Sequence, residues 1–168
     1  MVDCWLVDLV DCRLVVKPEV KGVRKKFDKE LYDACDGPGK EAVRIHLTCL
    51  GYDVTVPPEN YGPDVYCEFN GRRTYHEIEV CPRWFKATTF PFPSGSIPER
   101  KHKLLARVGD SELFFWMLRE DFSRAVVFPS TYIIDQYLVE VSNSKIKSGE
   151  YFYRIPLTLG KELDLICP

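Results

Sequence analysis

The chain reads as an α/β protein, a central mixed β-sheet flanked by helices. Three observations predict this. An amphipathic helical pattern precedes three strand-like runs, an Asn70-Gly71 pair separates two of those runs, and a second helical pattern leads into two short apolar runs. Helix, three strands, helix, two strands is an order that buries a sheet under helices. At 168 residues, with 45% hydrophobic and 29% charged residues, the sequence fits a single domain over 1–168 with enough chain to bury a core unaided.

Residues 4–16 are mostly apolar and β-branched, which predicts one strand or two short ones before Lys17-Pro18. Val23, Phe27, Leu31 and Cys35 recur at four-residue steps, with Lys25, Lys26 and Lys29 elsewhere, so a helix is expected over 23–35. Asp36-Gly37-Pro38-Gly39 is expected to break it, because proline removes a helical N–H and clashes one turn back. A second helix is expected over 38–50, with Asp36 as its cap, Gly51 as its stop and Val43, Leu47 and Leu50 as its apolar stripe.

Tyr52 to Val56 alternates as a strand and stops at Pro57-Pro58. The runs 63–69 and 72–81 flank Asn70-Gly71, the strongest short-range hairpin signal. Residues 87–98, rich in Pro, Ser and Thr, predict a loop, and 99–108 predicts a helix carrying Arg100, Lys101, Lys103 and Arg107. Residues 113–118 and 125–128 predict strands; 132–141 fits helix or strand, and 151–155 suggests a late strand. No internal repeat or linker divides the chain.

The charge balance, 23 Lys+Arg against 25 Asp+Glu, excludes a general cationic coat for nucleic acid. Any such role must rest on a local basic patch. The seven cysteines form no C-x-x-C pair, and Met1-Val2-Asp3-Cys4 lacks a basic leader. With no apolar run near the ~20 residues of a membrane helix, the expectation is a reduced, intracellular, cytoplasmic protein without a membrane partner and without structural zinc.

The hairpin carries the chemistry. A two-residue turn at 70–71 sets Phe69 opposite Arg72, Glu68 opposite Arg73, Tyr66 opposite Tyr75 and Asp64 opposite Glu77. Alternation then puts Asp64, Tyr66 and Glu68 on one face with Arg73, Tyr75, Glu77 and Glu79, and His76 on the other, core face. Glu68–Arg73 and Tyr66–Tyr75 are favourable pairs. Asp64 opposite Glu77, with Glu79 beyond, is repulsive. Such a cluster calls for a proton, a basic partner or a hard cation such as Mg²⁺; the plain alternative is a solvated polar face. On the repulsive reading, removing one carboxylate leaves metal-free stability unchanged or higher.

Gly62-Pro63-Asp64 followed after twelve residues by Glu77-Ile78-Glu79 resembles the active-site motif of the PD-(D/E)XK nuclease superfamily. Glu41 matches the acidic residue that many members carry on the preceding helix. The resemblance covers about 38–128 and implies a restriction-endonuclease-like core with N-terminal and C-terminal extensions. It implies a Mg²⁺-dependent endonuclease, Mn²⁺ substituting, that hydrolyses phosphodiester bonds in DNA. Asp64, Glu77 and Glu41 would hold metal, and Glu79 would act on the attacking water where the family usually has lysine. Arg83, Lys86, Lys101 or Lys103 would supply the displaced positive charge. Arg100, Lys101, Lys103 and Arg107 are the expected phosphate contacts, unless they form only a solvated helix face. DNA is the expected partner, and a homodimer is left open.

Other residues read more simply. Trp84, Phe85, Phe90 and Phe92 are expected to pack the sheet edge and loop rather than stack on bases, and His76 is expected to be structural. Glu79 in place of lysine sustains a rival reading, a catalytically inactive module that binds nucleic acid or a protein partner. An unrelated α/β protein with a merely solvated acidic hairpin is the third.

Overall fold

The computed structural model describes residues 29–58, 62–109, 111–143 and 146–165. The expected strand within 4–16 and the first turns of the expected helix over 23–35 lie outside the described residues.

The elements are α1 (Lys29–Cys49), β1 (Asp53–Thr55), β2 (Val65–Phe69), β3 (Arg72–Val80), β4 (Ser94–Pro98), α2 (Lys103–Val108), β5 (Glu112–Leu118), β6 (Arg124–Pro129), β7 (Leu138–Asn143), β8 (Ile146–Pro156) and β9 (Lys161–Asp164). Six strands form a mixed sheet in the order β1-β2-β3-β5-β6-β9. Among the described residues, only β3 and β5 run parallel in it. A smaller antiparallel sheet has the order β4-β8-β7. The α/β expectation holds at this level.

The main sheet is buried on both faces where β5 and β6 cross it. On one side Val43 and Leu47 of α1 pack with Val65, Cys67, Trp116, Leu118, Ala125 and Val127. On the other, Leu113, Phe115, Met117, Val126 and Phe128 pack against Trp84, Ile97, Leu104, Tyr153 and Ile155. Alternate residues of β5 and β6 thus serve different cores, which explains their almost continuous apolar sequences.

The helical region corrects the sequence reading. Asp36-Gly37-Pro38-Gly39 does not break the chain: α1 is one helix with Pro38 inside it. Asp36 is not a cap. It accepts a hydrogen bond from Lys40 at 2.8 Å, one turn on, so an ion pair straddles the proline. Gly39 lets the helix approach the sheet, because a Cβ there would lie 3.0 Å from a Val80 methyl.

Three other expectations change. The 87–98 segment ends in β4 rather than remaining a loop, and 99–108 divides into a 3₁₀ turn (Glu99–His102) followed by α2. The ambiguous 132–141 region resolves into the last residue of one 3₁₀ turn (Ser130–Tyr132), a second 3₁₀ turn (Asp135–Tyr137) and the start of β7, and β9 was not anticipated. The hairpin register appears as expected from Phe69–Arg72 through Val65–His76. Asp64 itself lies just outside β2.

Gly95 in β4 and Gly160 just before β9 both approach the ring of Phe128 closely. Cβ atoms at Gly95 and Gly160 would stand 2.5 and 2.6 Å from the Phe128 ring. Both positions are therefore expected to reject a side chain, and Gly95→Ala should cost about 1–3 kcal/mol through overpacking. Gly37 has nothing near its absent Cβ, so Gly37→Ala should gain about 0.5–1 kcal/mol from helix propensity. Urea unfolding of both variants checks the contrast; equal effects would contradict it.

His76 is 4% exposed. Trp116 Nε1 donates to its Nδ1 at 2.9 Å. Indole only donates, so the ring proton sits on Nε2, facing Cys67 Sγ at 3.2 Å and Thr74 Oγ1 at 3.1 Å. Burial lowers the His76 pKa from 6.5 to about 4. The folded value lies below the unfolded one, so this contribution is complete above pH 6.5 and is lost as the pH falls towards 4. The expected loss is about 3 kcal/mol. His76→Gln should flatten that part of the stability profile; an identical slope in parent and variant would contradict it.

Candidate active-site groove

The site forms where β3 meets the turn that follows β4. Glu77 and Glu79 lie two residues apart on β3 and line a groove with Ile97, Pro98, Lys101 and Met117. Pairing of β4 with β8 carries Ile97 and Pro98 to the groove wall. The next turn is tied down by a 2.9 Å hydrogen bond between His102 Nδ1 and the hydroxyl of Tyr153, which is 2% exposed.

Asp64 reaches β3 from just outside its own strand. Its Oδ2 accepts a hydrogen bond from the Ile78 backbone N–H at 2.8 Å. Its Oδ1 lies 3.0 Å from Lys40 Nζ. The carboxylate is therefore fixed by a strand on one side and a helix on the other.

Glu77 has a side chain only 7% exposed. Lys101 Nζ donates to its Oε1, and Oε2 is buried without a hydrogen-bond partner. Glu79 keeps an exposed surface, but protein crowds its carboxyl. This desolvation raises its pKa; Arg100 opposes the shift and Asp64 adds to it.

The two lysines respond differently. Burial alone would lower the Lys40 pKa, but hydrogen bonds to Asp36 and Asp64 raise it above the ordinary lysine value. Burial pushes Lys101 below that value, although Asp64 and Asp36 pull the other way. Direct contact with a buried carboxylate argues for the charged ammonium, because each ion offsets the other's loss of water.

The expected site residues are thus only partly assembled. Asp64, Glu77 and Glu79 share this end of β3. Glu41 does not join them: it points outward and forms hydrogen bonds of 2.7 Å to Arg44. The helix residue at the site is Lys40. Lys101, expected as a phosphate contact, turns inward onto Glu77. Arg100, Lys103 and Arg107 are exposed. Trp84 and Phe90 are buried, as the packing reading expected, whereas Phe85 is exposed.

Lys40 was missed, yet its position carried a signal. It stands three residues before Val43 and shares that residue's face, whereas Glu41 is about 100° further round the helix. Four candidates for the displaced positive charge could not be ranked by spacing, because only folding sets the β4 turn against β3.

Among the described residues, no three His, Cys, Asp or Glu side chains converge as a ready metal cage. Cys35, Cys49, Cys67 and Cys81 are free thiols. No helix among the described residues is long and apolar enough to cross a membrane.

These lysine pairings overturn the expectation that Asp64 is destabilising in the absence of metal. Asp64→Ala removes a partner of Lys40 and leaves the Ile78 N–H without its acceptor. Lys40→Ala leaves Asp36 and Asp64 without their shared cation. Each should cost about 1–3 kcal/mol. Lys29→Ala, which removes an exposed partner of Asp33, should stay within about 0.5 kcal/mol. Chemical denaturation without metal checks this; stability equal to the parent in either site variant would contradict the assigned pairing.

Compared with known proteins, the chain matches no protein-family model and no curated protein.

Proposed function

We propose that the protein is a metal-dependent nuclease that hydrolyses phosphodiester bonds in DNA, built on a restriction-endonuclease-like core. The observation that carries this reading is Glu77, a buried acid with one unpartnered oxygen, in a groove shared with Glu79 and one residue from the Ile78 N–H that holds Asp64. A carboxylate withdrawn from water without full hydrogen bonding is costly, and such costs concentrate where a ligand or a reaction uses the group.

The element order supports the fold assignment. A helix, three antiparallel strands, a crossover and a fourth strand parallel to the third match the core implied by the Pro63-Asp64 and Glu77-x-Glu79 motif. The site lies near the carboxyl end of β3, beside the parallel neighbour β5.

The donor set fits a hard divalent cation. Mg²⁺ commonly binds through one or two carboxylates plus water and substrate phosphate, so a complete protein cage is not required. Asp64 and Glu77 would hold it; Glu41 is withdrawn from that role. Bound there, the cation would supply Lewis-acid polarisation of phosphate and a more acidic water.

The protein's own groups divide the remaining work. Lys101 brings the positive charge missing from position 79. Glu79, raised in pKa by crowding, accepts a proton from the attacking water. Arg100, Lys103 and Arg107 lie exposed along the turn and α2 to meet backbone phosphates. The observation favouring the rival, an inactive binding module, is that Lys40 and Lys101 already neutralise two of the carboxylates.

The test is incubation with plasmid, linear, single-stranded and branched DNA, with Mg²⁺ or Mn²⁺ and with EDTA. Cleavage by the parent should disappear in EDTA. Asp64→Ala and Glu77→Ala should reduce it about a hundredfold or more, and Glu79→Ala should also damage it strongly. Glu79→Lys should not restore full activity, because Lys101 already supplies the cation. Replacing Arg100 and Lys103 by alanine should weaken DNA binding and flatten its salt dependence by about one per lost phosphate contact. Binding without cleavage under every condition would establish the rival.

A further inference from the structure

The two lysines hold their carboxylates on different terms. Lys40 lies 2.8 Å from Asp36 and 3.0 Å from Asp64, so it keeps a partner if Asp64 is drawn away. Lys101 reaches Glu77 from the turn after β4, and its side chain is 29% exposed against 7% for Glu77. Its flexible stem and compact charge let the ammonium withdraw towards solvent without remodelling the turn. Glu77 cannot follow because it is fixed within the paired core of β3. Its Oε2 is already buried and unpartnered.

We propose that Lys101 is the resting counter-ion of Glu77, yielding the carboxylate when a divalent cation binds as its ammonium swings to the open, solvent side of the groove. The inference rests on the cation-site reading above. An ammonium and a divalent ion on one carboxylate repel each other, while a buried carboxylate with neither is strongly disfavoured. The two cations therefore exchange. Apparent metal affinity is reduced by the fraction of molecules in which Glu77 is not free of Lys101.

The experiment titrates the full chain with Mn²⁺ alone, by calorimetry and by thermal unfolding, without nucleic acid. Lys101→Met preserves much of the stem and removes the charge. It should bind Mn²⁺ about tenfold or more tightly than the parent, and should be less stable without metal but gain more stability from it. Lys161→Met, exposed on β9, should bind like the parent. Glu77→Gln combined with Lys101→Met should recover metal-free stability and lose the tightened binding.

Unchanged or weaker Mn²⁺ binding by Lys101→Met overturns the proposal, as does a gain that survives in the double variant. If the parent binds Mn²⁺ and cleaves DNA while Lys101→Met shows no gain, the counter-ion role falls and the nuclease reading stands. If neither protein binds Mn²⁺ and the parent does not cleave, both fall.

Discussion

A carboxylate buried in a β-strand must have compensation, and Glu77 imposes that demand on the site. Its strand is held on both sides, by β2 in antiparallel and β5 in parallel pairing. The side chain cannot escape to water without disrupting the sheet. The compensating charge must therefore come to it. Lys101 provides it from the turn after β4.

That demand gives the smaller sheet a role beyond packing. Pairing between β4 and β8 fixes the approach to the turn, and the Tyr153–His102 hydrogen bond anchors its far end. Phe128 lies between the glycine backbones at Gly95 and Gly160, so the seating of β4 also depends on close packing. On the opposite face, α1 seats Lys40 against Asp64 through the close approach at Gly39. The two lysines thus arrive from elements packed on different parts of β3, and each depends on a separate core.

The hairpin was the most legible part because its register is local. Asn70-Gly71 and the favourable Tyr66–Tyr75 and Glu68–Arg73 pairs all point to the observed alignment. The apolar strands β5 and β6 were legible from their composition. The helix was misread at Pro38 because local breaking tendency was weighed without the Asp36–Lys40–Asp64 contacts that cross it. β4 was hidden in a Pro- and Ser-rich segment, since its strand character comes from β8, more than fifty residues away in sequence. Asp64, Glu77 and Glu79 could be named from the motif. Lys40 and the inward turn of Lys101 depend on tertiary packing.

The site therefore combines a fixed acidic strand with one anchored cation, Lys40, and one that can yield, Lys101. This arrangement reconciles an acidic cluster with a folded metal-free protein: lysines occupy the electrostatic role that a divalent ion would take. The decisive measurement is a crystal structure grown with Mn²⁺, with anomalous scattering recorded at the manganese absorption edge. The account predicts a peak within about 2.5 Å of carboxylate oxygens from both Asp64 and Glu77, with Lys101 withdrawn from Glu77. No peak there, with both lysines still seated on their carboxylates, would contradict it.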